Sequence, residues 1–137
     1  MKKKIIIGVA LFLAVVIGYT LYQQFLSTGP TMAKRDTEVK TNAQELFEAF
    51  ESDESAANKQ YLNKVLEVQG QVLSMKSSDT GKYYLELETM GFGVVKCTME
   101  ESFDPNGKDW SGEIIKVKGE CLGYLLDVQI GEAIIIE

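Results

Sequence analysis

The sequence predicts a mainly β domain with N-terminal helices, an α+β fold, preceded by one membrane-spanning helix. Three patterns in the 137 residues support this prediction. Ile5–Leu26 carries no charged side chain, apolar residues follow Thr41 at helical spacing, and a period of two begins after Asn63. The patterns divide the chain into an N-terminal membrane anchor at 1–27, a linker at 28–40 and one small domain at 41–137.

The apolar run would reach roughly 33 Å as a helix, which is enough to cross a hydrocarbon core. It is either an uncleaved signal-anchor or a cleaved secretory signal. The anchor is favoured because the run is longer than the apolar part of most signals, and because Pro30 would follow the cleavage site directly. A buried core helix is excluded, since a helix that is apolar on every face needs more protein than the roughly 110 remaining residues provide.

The charges that flank the run predict its orientation. Lys2, Lys3 and Lys4 precede it, whereas Lys34 and Arg35 follow it among acidic residues. The positive-inside rule therefore places the N-terminus in the cytoplasm. We expect a single-pass protein of the cytoplasmic (inner) membrane whose C-terminal domain is extracytoplasmic, which means periplasmic in a cell with two membranes.

The first element of the domain is predicted to be a helix. Thr41-x-x-Gln44 matches a capping box, which satisfies unpaired amides at a helix start. A shorter helical segment follows and runs to Tyr61. We expect the apolar side of the first helix to cover one end of a sheet core, and this side contains Ala43, Leu46, Phe47 and Phe50.

Five strands are predicted after the helices, because apolar and polar residues alternate between turn residues. They cover 66–73, 83–88, 95–99, 115–121 and 126–136, with a short turn at 122–124. Gly70 and Gly119 stand inside strands, where glycine commonly marks a barrel corner. The pattern predicts a five-stranded Greek-key barrel of the oligonucleotide/oligosaccharide-binding (OB) type. The helix that usually joins strands three and four is replaced by a polar connection containing Pro105.

Several motifs of the domain resemble those of the small bacterial envelope proteins of the tRNA-anti-like OB-fold family. The resemblance covers about residues 41–137 and implies a fold and a location. Members of the family are largely uncharacterised, so it implies no reaction. The motifs are Ala43-x-x-Leu46-x-x-Ala49-Phe50-Glu51, Lys64-Val65-x-Glu67-Val68-x-Gly70-x-Val72, Val95-x-Cys97 and Gly112-Glu113-x-x-x-Val117-x-Gly119-x-Cys121-x-Gly123.

The residue types argue against catalysis. The chain contains no histidine, so it can form neither a Ser-His or Cys-His pair nor an imidazole metal site. The acidic group at Glu100, Glu101 and Asp104 has the spacing of no calcium loop. We therefore predict no enzyme activity, no catalytic or metal-binding residue and no cofactor.

The candidate ligand face lies on the outward sides of the second and third predicted strands, which also carry Val94 and Thr98. The candidate ligand residues on it are Tyr84, Glu86, Glu88 and Lys96. From Glu38 onward 9 lysines and no arginine stand against 19 carboxylates, a net charge of −10. Single-stranded nucleic acid requires a positive groove and several stacking aromatics. The sequence therefore predicts that nucleic acid is not a partner.

Cys97 and Cys121 are the only two cysteines, and both are predicted to point into the barrel. A disulfide between them would close a loop of about 25 residues and contribute on the order of 3 kcal/mol. Two buried free thiols acting as small apolar residues fit the sequence equally well. Redox catalysis is disfavoured because no CxxC motif is present.

Two function classes remain at this point. The first is a non-enzymatic, membrane-anchored extracytoplasmic OB-fold module that binds a protein, peptide or glycan of the envelope. The alternative is a structural or assembly factor that joins a membrane complex through its transmembrane helix. Replacing the anchor by an unrelated one separates them, because only a binding module would keep its partner.

Overall fold

The structure, a computed structural model, describes residues 1–27 and 30–136. Two compact units are present, Met1–Thr31 and Met32–Glu137. The first contains one helix, α1 (Lys2–Ser27), whose part Lys2–Gln24 is long and apolar enough to cross a membrane. A signal sequence would have the same length and composition. Thr28 and Gly29, from the predicted linker and cleavage site, and the terminal Glu137 lie outside the described residues.

The second unit is a closed five-stranded barrel, which confirms the predicted OB-like fold. Its strands are β2 (Val65–Ser77), β3 (Tyr83–Leu87), β4 (Val95–Met99), β5 (Ile114–Leu125) and β6 (Asp127–Ile135). They follow the order β2-β3-β4-β6-β5, and a further pairing of β2 with β5 closes the barrel. Only β4 and β6 are parallel neighbours within it. Closure leaves the five strands without a free edge.

Most of the segment assigned to the linker, 28–40, belongs to the second unit in the structure. Met32 starts a 3-10 turn, Met32–Lys34, that contacts β5 and β6, and its side chain is buried. Arg35 Nη1 lies 2.6 Å from Glu120 Oε2 on β5. A short strand, β1 (Val39–Asn42), then pairs in parallel with the start of β2. These contacts are all tertiary, which is why a polar segment without periodicity did not reveal them.

Two helices, α2 (Ala43–Ser52) and α3 (Glu54–Tyr61), connect β1 to β2. The N-cap of α2 is Asn42, whose Oδ1 accepts a hydrogen bond from Glu45 N at 2.8 Å. The capping box predicted at Thr41 is therefore wrong by one residue, because the side chain of Asn42 and not that of Thr41 accepts the hydrogen bond at the helix start. Gln44, the other predicted member, instead accepts a hydrogen bond from Met90 N at 2.6 Å.

The α2 helix closes one end of the barrel, as the sequence predicted. Its side chains Leu46, Phe47 and Phe50 are buried in the same core as the inward residues of the strands. The ring centroids of Phe50 and Phe47 lie 5.9 Å and 6.1 Å from that of Tyr124 on β5. Among the described residues no helix joins β4 to β5, so α2 takes the place of the usual OB helix.

Three strands contain bulges: β6 carries an extra residue between Ile130 and Ile134, and β2 and β5 also change phase. On β2 the pairs Val72–Leu87 and Ser74–Glu86 leave Leu73 as an extra residue. On β5 the predicted turn at 122–124 is wrong, because the strand continues to Leu125. The irregularity there falls between Cys121 and Gly123. Leu126 alone connects β5 to β6. The bulge lets Tyr124 pack against the core.

Candidate functional site

The outward residues of β2, β3 and β4, together with Gln129 of β6, form one continuous polar surface, which we call the front face. Strand register places them in two rows across the barrel. The inward neighbours Leu85, Val95 and Cys97 are fully buried, so the alternating residues face outward. One row is Ser74, Glu86, Lys96 and Gln129, and the other is Lys76, Tyr84 and Thr98.

Glu86 lies at the centre of the front face and is fully partnered. Its two carboxylate oxygens accept hydrogen bonds from Lys76 Nζ at 2.8 Å and 2.9 Å. Ser74 Oγ donates a third at 2.7 Å. The hydrogen bonds from Lys76 and Ser74 lower the pKa of the Glu86 carboxyl below its ordinary value. The carboxylate therefore stays ionised at neutral pH and has no proton to donate to a ligand.

The single aromatic residue of the front face has one side of its ring covered. Lys96 Nζ lies over the Tyr84 ring, 4.7 Å from its centroid. This cation–π contact is favourable because the ammonium meets the negative face of the ring. A ligand that stacked on that side of Tyr84 would first have to displace Lys96.

The structure brings Tyr84, Glu86 and Lys96 together but separates Glu88 from them. Glu88 lies beyond the end of β3, where its backbone N–H donates to Gln71 O at 2.8 Å. It lines a different depression, which it shares with Gln44, Gln71, Thr89 and Met90. Alternation along β3 places Glu86 and Glu88 on one side of the strand, but the strand ends before the second of them.

Three further residues of the front face were missed by the sequence analysis: Ser74, Lys76 and Gln129. The bulge at Leu73 turns Ser74 and Lys76 outward, where unbroken alternation after Val72 would place both inside. A signal for this was present, because the apolar positions change from even to odd numbers across 72–75. Gln129 left no such signal, since its place beside Lys96 depends on the parallel pairing of β6 with β4.

Cys97 and Cys121 are both buried and both free thiols, so of the two alternatives left open by the sequence the disulfide is not confirmed. Both are opposite Ile130 of β6, one on β4 and the other on β5. Two strand spacings of about 4.8 Å place their Cα atoms roughly 10 Å apart. A disulfide requires less than about 7 Å. Burial raises the pKa of Cys97 to about 12 and also raises that of Cys121, so neither thiol forms a reactive thiolate.

Thiol labelling tests this arrangement. We expect the folded chain at pH 8 to resist iodoacetamide, because both thiols are protonated and shielded from solvent. Unfolding in guanidinium chloride without a reductant should then allow both cysteines to be alkylated. An intact mass that is two hydrogens short, with no labelling after unfolding, would show a disulfide instead.

The described residues contain no group of three or more histidine, cysteine or acidic side chains that could hold a metal ion. The closed strand order, the helical plug and the polar front face define an OB-fold protein. The chain belongs to the tRNA_anti-like family, whose model matches residues 1–131.

Comparison with solved structures agrees with this fold. A chain from Klebsiella pneumoniae, described as a putative nucleic acid-binding lipoprotein, matches with a TM-score of 0.56 and 15% sequence identity. The match covers 71% of this chain and 91% of the other. At that identity the likeness shows the fold alone. Among curated proteins no match to this chain was found.

Proposed function

We propose that this protein is a non-enzymatic binding module, tethered by α1 to the cytoplasmic membrane, with its OB barrel outside the cytoplasm. The front face binds a protein, peptide or glycan of the envelope. Membership of the tRNA_anti-like family and the apolar α1 helix support the general class. The orientation rests on the three lysines before α1 and the positive-inside rule.

The observation that carries the proposal is that the charged groups of the front face are engaged by neighbours on the face itself, either as an ion pair or over an aromatic ring. Lys76 is engaged by Glu86, and Lys96 covers Tyr84. The face therefore offers a single uncompensated cation and a half-covered ring, while the barrel segment as a whole carries −10. Binding of single strands depends on releasing counterions at several phosphates and on stacking bases, and this face provides little of either.

The same face suits a polar ligand of low charge. Besides Tyr84, its uncharged members are Ser74, Thr98 and Gln129. Thr98 and Gln129 carry groups that both donate and accept hydrogen bonds, and Ser74 Oγ, which donates to Glu86, can still accept one. Such groups match a peptide backbone or the hydroxyls of a sugar. The acidic surroundings favour neutral or basic partners over acidic ones.

The chemistry of the face supports a role without catalysis. Glu86 is held ionised by its partners, so it is poorly suited to act as a general acid. Both thiols are inside the core and away from the face.

Nucleic-acid binding provides the first test. The full chain in mild detergent, mixed with single-stranded RNA or DNA at low ionic strength, should form no complex. The physical reason is that acidic residues outnumber lysines around a face with one covered ring. A micromolar complex that weakens as salt is added would contradict the proposal. It would favour nucleic-acid binding, the function in the description of the Klebsiella lipoprotein.

Crosslinking in the native membrane tests the front face itself. A photoreactive residue at Thr98 should capture a ligand, whereas one at Gln69 on the β1–β2–β5 side of the barrel should not. The adduct should persist when α1 is exchanged for an unrelated span. Loss of the adduct after that exchange would favour the alternative, an assembly factor acting through its helix.

A further inference from the structure

An exposed apolar surface lies at the end of the barrel that α2 plugs, and we call it the apolar tip. It contains Met90 and Phe92 from the β3–β4 loop, Leu125 from the end of β5, and Leu126 from the turn between β5 and β6. Their relative exposures run from 81% to 108%, so nothing in the described part of the chain covers them. Large apolar side chains grouped in this way on a soluble surface commonly mark an interaction site.

The two loops of the apolar tip are fixed to each other. Val94 N donates to Asp127 Oδ1 at 2.9 Å, and Val128 N donates to Val94 O at 3.1 Å. Gly93 lies so close to the carbonyl of Leu126 that a Cβ there would overlap it. The four apolar side chains are therefore presented together by a rigid part of the barrel.

Leu126 is an unusual residue for its position. Its φ is 65°, in the left-handed region that glycine and asparagine occupy with less strain. A leucine here is both strained and exposed to water, so it stabilises the free barrel through neither conformation nor burial. A contact made outside the barrel would account for its presence.

The chain length points to what the tip contacts. Only residues 28–31 separate Ser27, the last residue of α1, from Met32, which is buried in the barrel unit. An extended chain covers at most about 3.6 Å per residue, so Met32 lies within roughly 18 Å of the end of α1. If α1 spans a bilayer, the barrel is held at the surface of that bilayer at all times. A lipid surface is then the nearest apolar phase.

We propose that the apolar tip inserts between the lipid headgroups of the membrane that α1 spans. The inference rests on the proposed membrane tether. The charged residues next to the tip in sequence are acidic: Glu88 lies two residues before Met90, and Asp127 directly follows Leu126. No lysine lies within 88–92 or 125–127. Attachment therefore depends on burial of apolar surface and not on attraction to anionic lipids. Insertion would fix the orientation of the barrel relative to the membrane, and with it the direction in which the front face points.

Fluorescence quenching by brominated lipids tests the inference in the full chain. Trp110 is the only tryptophan, and it lies in the β4–β5 connection at the opposite end of the barrel. Trp110→Phe provides a background for two single-tryptophan variants, Phe92→Trp at the tip and Phe12→Trp within α1. Each is reconstituted into phosphatidylcholine vesicles with bromine placed near the headgroups or at the bilayer centre.

We expect bromine near the headgroups to quench most of the emission of Trp at position 92, and bromine at the centre to quench Trp at position 12. Native Trp110 should stay unquenched by both. If position 12 is quenched but position 92 is as weakly quenched as Trp110, α1 spans the membrane but the tip does not enter it. If position 12 is also unquenched, the tether itself is wrong.

A matched pair of substitutions guards against indirect effects. In the Phe92→Trp chain, Leu126→Asp should abolish quenching at the tip, whereas Leu73→Asp at the exposed β2 bulge should leave it unchanged. Quenching that both substitutions reduce equally would show a general disturbance of the barrel and would overturn the inference.

Discussion

Replacing Phe47 by alanine should lower the free energy of unfolding of the barrel by about 3–5 kcal/mol, the usual cost of removing a buried phenylalanine. Phe47 is 2% exposed and projects from α2 into the core. Its ring also packs directly on the β3–β4 loop, since a Cβ at Gly91 would overlap it. The substitution therefore opens a cavity and removes the support of that loop.

Thermal unfolding of the full chain in mild detergent, followed by near-ultraviolet circular dichroism, measures the effect. With about 4–8 °C per kcal/mol for a domain of this size, Tm should fall by roughly 12 °C or more. Phe92→Ala is the matched control, because the same ring is removed from a fully exposed position. Equal losses for the two variants would mean that α2 does not plug the barrel.

Replacing Gly119 by alanine should destabilise the barrel by about 1–3 kcal/mol through overpacking. A Cβ at this position would overlap Ile130 Cγ2 and lie 2.9 Å from the carbonyl oxygen of Gly131 and 3.3 Å from Ala133 Cα. Two of these three neighbours are backbone atoms of β6. The strand itself would have to move, and with it the register that closes the barrel.

Gly70→Ala is the matched control, since Gly70 is also a mid-strand glycine in the barrel. A Cβ there would meet only side-chain atoms, 3.0 Å from Ala43 Cβ and 3.2 Å from Leu87 Cβ. Because alanine also lowers the entropy of the unfolded chain, the net effect should be close to zero. If Gly70→Ala proved the more costly of the two, the packing of β5 against β6 would be looser than the structure shows.

The two glycines show how far sequence reasoning could reach. Their place inside alternating segments predicted a barrel corner at both, and in the structure a Cβ at either position would crowd a neighbour. The sequence could not distinguish their roles, because Gly119 meets β6 and Gly70 meets α2. Those contacts depend on which distant elements pack on each strand.

The residues of the front face also fall into two groups, those that the sequence could predict and those that it did not. Tyr84, Glu86 and Lys96 follow from strand alternation and from the usual contact strands of an OB barrel, and the structure places them side by side. Lys76 and Gln129 depend on a bulge and on a parallel pairing. The bulge left a trace in the local sequence, because the apolar positions change from even to odd numbers across 72–75. The parallel pairing left none, since it is decided by which strand lies alongside.

By itself the sequence determined the apolar α1 helix, the five-stranded barrel with a helical plug, the acidic charge and the absence of histidine. Each of these depends on composition or on local periodicity, which reports the face that a residue turns to water. Only the tertiary structure decided that Met32 anchors the segment before β1, that Cys97 and Cys121 stay apart across β6, and that four exposed apolar residues meet at one end. Such features join residues far apart in the chain, and their free energy comes from packing and pairing that exist only once the barrel has closed.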